Sequence, residues 1–418
     1  DFADQSIAKT DRHGNDYFAY GGDFNEAPHD ADFCGNGIFF ADHSPTPKVI
    51  EVSYLYQGLR IRIGTESFTV ENRLLFTSTS VYTCVITLAQ EGRVLREDAV
   101  ESDIAALTTG EVRLPFAVPT DAGEYTVDVS FRLREATDWA PAGHEIAREQ
   151  TVWEVADPTP PALITRGPAL RLVRGGHNIG VHGAGFSVLF STLYSGLVSY
   201  RYGDSAEGGR ELLASMPKPN FWHAPTSNER GWEGPFEDGQ WLLASRYARV
   251  PDPLNSTGVH VEDDGSITVS YSYQLPTAPA TACDVDYRVD TAGRVEVTQT
   301  LHLVEGLPDL PEFGMLMSVD PEFTRLRWYG EGPEESYIDR RGGARLDVYE
   351  RDVTTALTPY LRPQEAGNRT GVRWAEVTDR RGVGLRLDSA GTVGGMEFSA
   401  LPWTPFEIEN AEHHTELP

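Results

Sequence analysis

The sequence predicts a mainly β protein divided into several domains, and three observations carry that prediction. Its 418 residues exceed one ordinary compact core and imply two or three domains. Tyr125, Val127, Val129, Phe131 and Leu133 alternate with Thr126, Asp128, Ser130 and Arg132, the period of a half-buried strand. Other short segments of this kind are separated by turn residues with little helical periodicity, which argues for antiparallel sandwiches.

Taken in order, residues 1–59 are loop-rich. Tyr17 to Tyr20, just ahead of Gly21-Gly22, reads as a short strand. Thr46-Pro47 reads as an N-cap followed by proline in the first turn, so a helix of two to three turns follows, with Val49, Ile50, Val52, Tyr54 and Leu55 as its buried face. Over 60–156 the period becomes two: Val81 to Leu88 reads as a strand, and Asp121-Ala122-Gly123 as the turn before the strand at 125–133. Asp157-Pro158-Thr159-Pro160-Pro161 resists helix and cannot supply central-strand donors, so a domain boundary falls there. Within 157–418, Phe186 to Tyr202, Ile267 to Tyr273 and Arg294 to Leu303 read as strands. They are spread over far more than the about 100 residues of a small sandwich, which predicts one large two-sheet domain.

Hydrophobic residues at 40% and aromatics at 10% supply packed cores and exclude a disordered chain. A net charge of -28 repels phosphate backbones and anionic membranes, which excludes both as partners, whereas a neutral sugar is compatible with it. Cys34, Cys84 and Cys283 are odd in number and lack metal-ligand spacing, so neither a disulfide scaffold nor a zinc site is indicated. A reducing, cytoplasmic location follows. No apolar run reaches the length of a membrane span, and the start at Asp1 reads as a cut through a longer protein.

The most informative residues are Tyr20-Gly21-Gly22-Asp23-Phe24 and Asp32-Phe33-Cys34-Gly35-Asn36-Gly37, because glycines permit positive φ and close backbone approach at a site rim. Together with Asp1-Phe2-Ala3-Asp4-Gln5-Ser6, they resemble the end of the catalytic (β/α)8 barrel in long bacterial β-galactosidases of glycoside hydrolase family 2. Further on, Ala136-Thr137-Asp138-Trp139 and Gly143-His144-Glu145 resemble elements of that family's following sandwich, with His144 read as a packing residue. Phe221-Trp222-His223-Ala224-Pro225-Thr226-Ser227-Asn228-Glu229-Arg230-Gly231 is similar to its F-W-R-A-P-T-D-N-D-R-G loop at the active-site mouth. Here His223 replaces arginine, and Ser227 and Glu229 replace aspartates. Trp328 to Arg340 and Tyr360 to Arg369 resemble its W-x-G-x-G-P-x-E-x-Y-x-D-R and Y-x-x-P-Q-E-x-G-N-R motifs.

The resemblance implies a barrel remnant (1–59), an immunoglobulin-like β-sandwich (60–156) and a β-supersandwich (157–418) that continues past Pro418. It implies hydrolysis of terminal β-D-galactosides such as lactose by a retaining mechanism, in a full-length homo-oligomer. The catalytic glutamates would lie before Asp1, so the chain alone is expected to be inactive. The carbonyl of Phe33 and the side chain of Asn36 would bind sodium, Asn36 would also meet the sugar, His29 would lie near a magnesium ion, and Gly231 would be a loop hinge. Glu331, Glu334 and Glu335 are read as structural. The barrel remnant, lacking partner strands, is expected to be weakly ordered. Two alternatives stay open: the small non-catalytic subunit of a split β-galactosidase, and a carbohydrate-binding sandwich protein. A mutarotase-like enzyme is a third, separable by a mutarotation assay.

Overall fold

The computed structural model of the chain describes residues 1–156, 168–203, 209–390 and 394–418. The proline-rich run at 157–161 lies outside them. Residues 1–59 hold an antiparallel hairpin, Ile7–Thr10 with Asp16–Ala19, a 3-10 turn at Ala31–Cys34, and a helix α1 at Lys48–Tyr56. The strand expected at Tyr17 to Tyr20 therefore begins one residue earlier. Thr46 Oγ1 accepts from the Lys48 amide at 3.2 Å, so the Thr-Pro pair does start the helix. Its expected buried face is a correction: no residue of α1 is fully buried, and Leu55 is exposed.

The second region is a sandwich. Leu59–Ile63, Ser67–Asn72 and Thr109–Arg113 form one sheet. The other has the order Arg93–Val100, Tyr82–Gln90, Gly123–Leu133, Glu145–Val155. Inward side chains of both sheets, among them Ile61, Phe68, Ile86, Val127, Val129 and Phe131, form one core. The strand at 123–133 is not half-buried as its alternation predicts: Thr126 and Ser130, on its polar face, are buried as well. That face is covered by the last region, where Arg345 pairs with Glu145, the Leu346 amide donates to Gln150 Oε1 at 2.8 Å, and Arg373 pairs with Glu124 at 2.6 Å. His144 is also a correction. It is exposed, edge-on to the exposed Trp139 at 5.5 Å, because the turn that carries both projects from the sandwich.

The last region contains more than two sheets. A five-stranded sheet runs from Arg171–Arg174 through Phe186–Ser191 and Gly196–Tyr202 to Arg210–Glu211. It shares a core with the sheet Gly258–Val261, Ile267–Leu275, Thr281–Val289, Val295–Leu301, in which Val188, Phe190, Val269 and Tyr287 meet. A third main sheet, ordered Arg345–Asp352, Arg325–Gly332, Trp374–Thr378, Gly384–Asp388, has its own core around Trp328, Val372 and Ala375. Tyr200 and Leu385 pack against both cores.

Among the described residues the first region has no further partner strands in its two-stranded sheet, but it makes contacts with the other two regions. Tyr54 donates to Glu149 at 2.9 Å, Gln57 accepts from the Arg148 amide at 2.9 Å, and Glu51 accepts from the Gly343 amide at 2.7 Å. Near the chain's end, His413 lies 2.9 Å from Asp23, and Tyr20 donates to the Glu412 carbonyl at 2.6 Å.

Candidate functional site

The turn at 31–37 is shaped by local backbone demands. Ala31 takes φ +48°, uncommon for a residue with a side chain, and its carbonyl accepts from the Gly21 amide at 3.0 Å. Gly37 has ordinary φ but no room: a Cβ there would lie 2.2 Å from the Asp4 nitrogen and 2.3 Å from the Ala3 carbonyl carbon. Its amide donates to the buried Asp4 carboxylate at 2.7 Å, so the close approach also makes a bond. Burial raises the Asp4 pKa, with that hydrogen bond and Lys48 opposing the shift.

Phe33 and Asn36 are both exposed on this turn. Among the described residues no hydrogen bond is made to the Phe33 carbonyl or to the Asn36 carboxamide. Two neutral oxygens free of protein hydrogen bonds suit a hard cation such as sodium, or a sugar hydroxyl. His29 differs. Its ring lies over Gly22, its Nδ1 accepts from the Ala31 amide at 3.2 Å, and what remains is one exposed nitrogen. Magnesium favours oxygen ligands, so the remaining His29 nitrogen suits a contact to the ion through a bound water, as the resemblance implies, and not direct ligation. No group of three His, Cys, Asp or Glu side chains able to hold a metal occurs among the described residues.

The loop after Phe221 meets this turn. A five-residue helix α2, Ser227–Gly231, is capped by Thr226 and Glu229 in reciprocal hydrogen bonds. Ser227 Oγ donates to Asp32 Oδ2 at 2.5 Å and accepts from Gln364 Nε2 at 3.1 Å. Three sequence motifs thus converge, from the barrel-like segment, the loop at 221–231 and the Tyr360 to Arg369 stretch. Asp32 and Gln364 were legible as motif members but not as partners; the serine standing for aspartate opposite an acidic turn was the signal. Gly231 ends α2. A Cβ added there would meet no atom within 4 Å, and its φ is not positive, so nothing local requires glycine at this position.

Behind α2 lies a charged cluster. His223 Nε2 is 2.9 and 3.1 Å from the two Glu229 oxygens. Burial disfavours the His223 cation, but the hydrogen bond and charge of Glu229, with Glu365 and Glu312, raise its pKa overall. Burial would raise Glu229, yet His223 and Thr226 take it down to about 2. Burial pushes Glu365 up to about 8, so it is protonated at neutral pH, and Tyr337 Oη lies 3.1 Å from it.

Glu335 is a structural node. Its carboxylate accepts from Arg340 at 2.6 Å, Thr358 at 2.6 Å, Tyr360 at 2.5 Å and the Gly367 amide at 2.7 Å. Glu331 pairs with Arg341, and Glu334 with Arg351 at 2.8 Å. A cleft of about 300 Å³ opens where α1, the sandwich and the last region meet, and its arginines Arg148, Arg341, Arg345 and Arg373 are engaged with Glu145, Glu331 and Glu124. None of Phe33, Asn36, His29 or Gly231 lines it.

Comparison with known proteins matches three families in chain order. Residues 1–61 match the glycosyl hydrolases family 2 TIM barrel domain, 68–154 match beta-galactosidase domain 4, and 182–418 match the beta galactosidase small chain. The chain is 40% identical over 418 residues to a beta-galactosidase of Streptococcus thermophilus, covering 100% of this chain and 39% of the relative. It is 37% identical over 426 residues to one from Halalkalibacterium halodurans, covering 100% of this chain and 40% of the relative. For one from Lactobacillus delbrueckii subsp. bulgaricus the identity is 34% over 419 residues, with 100% and 39% covered. The chain therefore spans about two fifths of the length of the relatives it matches.

Proposed function

This chain belongs to the beta galactosidase small chain family, and from that premise we propose that the full-length protein is a retaining β-galactosidase acting on terminal β-D-galactosides such as lactose. The observation that carries the reading is the unbroken match to relatives named beta-galactosidase along all 418 residues, with a barrel, a sandwich and a small-chain match in succession. Retaining hydrolysis uses two carboxyl groups about 5 to 5.5 Å apart, one as nucleophile and one as acid then base. In this reading those groups are supplied by a part of the barrel outside these 418 residues. The acidic groups described above are engaged in caps, ion pairs and domain contacts instead.

In this reading the chain completes the sugar site. Asn36 contacts a galactosyl hydroxyl, and the Phe33 carbonyl and Asn36 carboxamide contribute two of the oxygens that hold sodium. The bound ion supplies a fixed positive charge that orients sugar hydroxyls. In the same reading the whole protein works as a homo-oligomer in the cytoplasm. No helix among the described residues is long and apolar enough to cross a membrane. Two measurements test the proposal. The 418-residue chain alone should show no turnover of a chromogenic β-galactoside. In the full-length protein, Asn36→Ala should raise KM about tenfold, the order of one lost hydrogen bond to a substrate or ion, and weaken the sodium dependence. Kinetics unchanged by the substitution across a sodium titration would remove Asn36 from the site.

A separately encoded small subunit is the second reading, favoured by the small-chain match at 182–418. Sequencing the flanking DNA separates the two: an open frame through an upstream barrel supports one polypeptide, a start codon near Asp1 a subunit.

A further inference from the structure

Ser227 stands where the family pattern has aspartate, and the structure shows what it faces. Its hydroxyl donates to Asp32 across 195 residues of sequence, in the turn that carries Phe33 and Asn36. A second carboxylate at this distance from Asp32 would be repelled or forced to take up a proton, whereas a hydroxyl donates directly and forms a charge-assisted bond. Gln364 fixes the serine from both sides: its Oε1 accepts from the Ser227 amide at 3.1 Å and its Nε2 donates to Ser227 Oγ at 3.1 Å. Asp32 is buried, so water does not readily replace the serine.

The support for Ser227 is itself held by charge. An isolated helix of five residues is not stable, and α2 depends on its cap. Glu229 Oε2 accepts from the Thr226 amide at 2.7 Å and from Thr226 Oγ1 at 2.9 Å, while His223 anchors the same carboxylate. His223 is faced by Glu229 from α2, by Glu365 from the loop after Tyr360, by Glu312 from the segment before Gly314–Leu316, and by Asp238 from the turn ahead of Gly239–Tyr247. Glu229, held down to about 2, supplies the main charge that favours the imidazolium holding the cap, whereas Glu365, pushed up to about 8, contributes only where it is ionised.

We propose that Ser227 is a positioning residue for the Phe33–Asn36 turn, locking that turn to the last region through Asp32 and Gln364, with the His223–Glu229 pair holding the helix that carries it. The proposal rests on the reading of the turn as a galactoside contact. Ser227 touches no substrate; it acts by fixing a turn whose exposed oxygens do.

The experiment uses the full-length protein with Ser227→Ala, Ser227→Thr and Ser227→Asp, each checked for an unchanged melting transition of the remaining domains. Two readouts are taken: hydrogen exchange at the Phe33, Gly35 and Gly37 amides without substrate, and KM and kcat on an aryl β-galactoside. Ser227→Ala should speed exchange at these amides about tenfold and raise KM about three- to tenfold with kcat changed less than about twofold. Ser227→Thr, which keeps the hydroxyl, should restore both, and Ser227→Asp should exceed the alanine effect. The protection of these amides in the parent protein, taken relative to their intrinsic base-catalysed exchange, should fall as pH passes upward through the raised His223 titration, and His223→Gln should abolish that fall. Unchanged exchange and KM in Ser227→Ala overturn the proposal. If the parent protein hydrolyses no galactoside, the functional reading fails instead, and the exchange measurement still decides whether Ser227 positions the turn.

Discussion

Around Glu335 every acceptor position is used, whereas on the Asp32–Asn36 turn the Phe33 carbonyl and the Asn36 carboxamide are left without protein partners. Glu335 is almost wholly enclosed and receives a guanidinium, two hydroxyls and a backbone amide. Phe33 and Asn36 point outward from a turn held rigid by groups behind them: Asp4 bonded to the Gly37 amide, and Asp32 bonded to Ser227. Both regions lie in dense sequence motifs, so motif density does not separate structure from function here. The state of the polar groups does. A buried charge is tolerated only when its partners saturate it, and a ligand site needs polar atoms that the fold has oriented without consuming.

The largest expected effect tests the saturated side of this contrast. Glu335→Ala leaves the half-buried Arg340, two hydroxyls and an amide without their buried carboxylate, and breaking a pair of this kind costs up to about 3–5 kcal/mol, a large part of the about 5–15 kcal/mol that holds a domain. The thermal midpoint should fall accordingly. Burial alone would raise the Glu335 pKa, but Arg340 and the bonds from Thr358, Tyr360 and Gly367 lower it from 4.5 overall. Its contribution is therefore present above pH 4.5 and lost as pH falls through the depressed value. Glu335→Gln should flatten that acid limb of the stability curve. A catalytic loss with normal melting would reverse the structural assignment.

A smaller effect tests the open side. Gly37→Ala places a Cβ against the backbone of Ala3 and Asp4, neither of which can rotate away, and such overpacking costs about 1–3 kcal/mol. The full-length variant should show a modestly lowered melting temperature together with a raised galactoside KM, because the turn that aims Asn36 must shift. Unchanged KM would show that the aim of the turn does not matter for binding.

The smallest effect has the opposite sign. Gly231 sits in helical backbone with open space around it, so Gly231→Ala should stabilise by about 0.4–1 kcal/mol through the unfolded chain and leave kcat unchanged. A fall in kcat with stability retained would support the hinge role that the resemblance implies for this glycine.

Much of the architecture was readable from local pattern. The alternation at 125–133 is a strand, the Thr46-Pro47 pair starts a helix, and the expected strands at 81–88, 267–273 and 294–303 occur with ends shifted by a few residues. The stretch at 186–202 resolves into a hairpin, with Ser195 at φ +59° in its turn. The loop that brings Phe33 and Asn36 together was readable as well, since both stand on one exposed turn. Their fixing was not. Thr126 and Ser130 read as solvent-facing because alternation reports one covered face, and it is the docking of the last region that covers the other.

By itself the sequence determined the period of each strand and the start of α1, because each depends on sterics and hydrogen bonding within a few residues or on the pattern of one face, whereas the glycine at position 37 answers to Ala3 and Asp4 far back in the chain. Only the tertiary structure decided which charges meet. Arg345 finds Glu145 across 200 residues and Ser227 finds Asp32 across 195. Such contacts follow from how folded units dock, and a side chain's place in a local repeat carries no information about the surface that will arrive against it. That is why Gln364 looked like one more letter of a motif, yet in the folded chain it holds the serine that grips the turn.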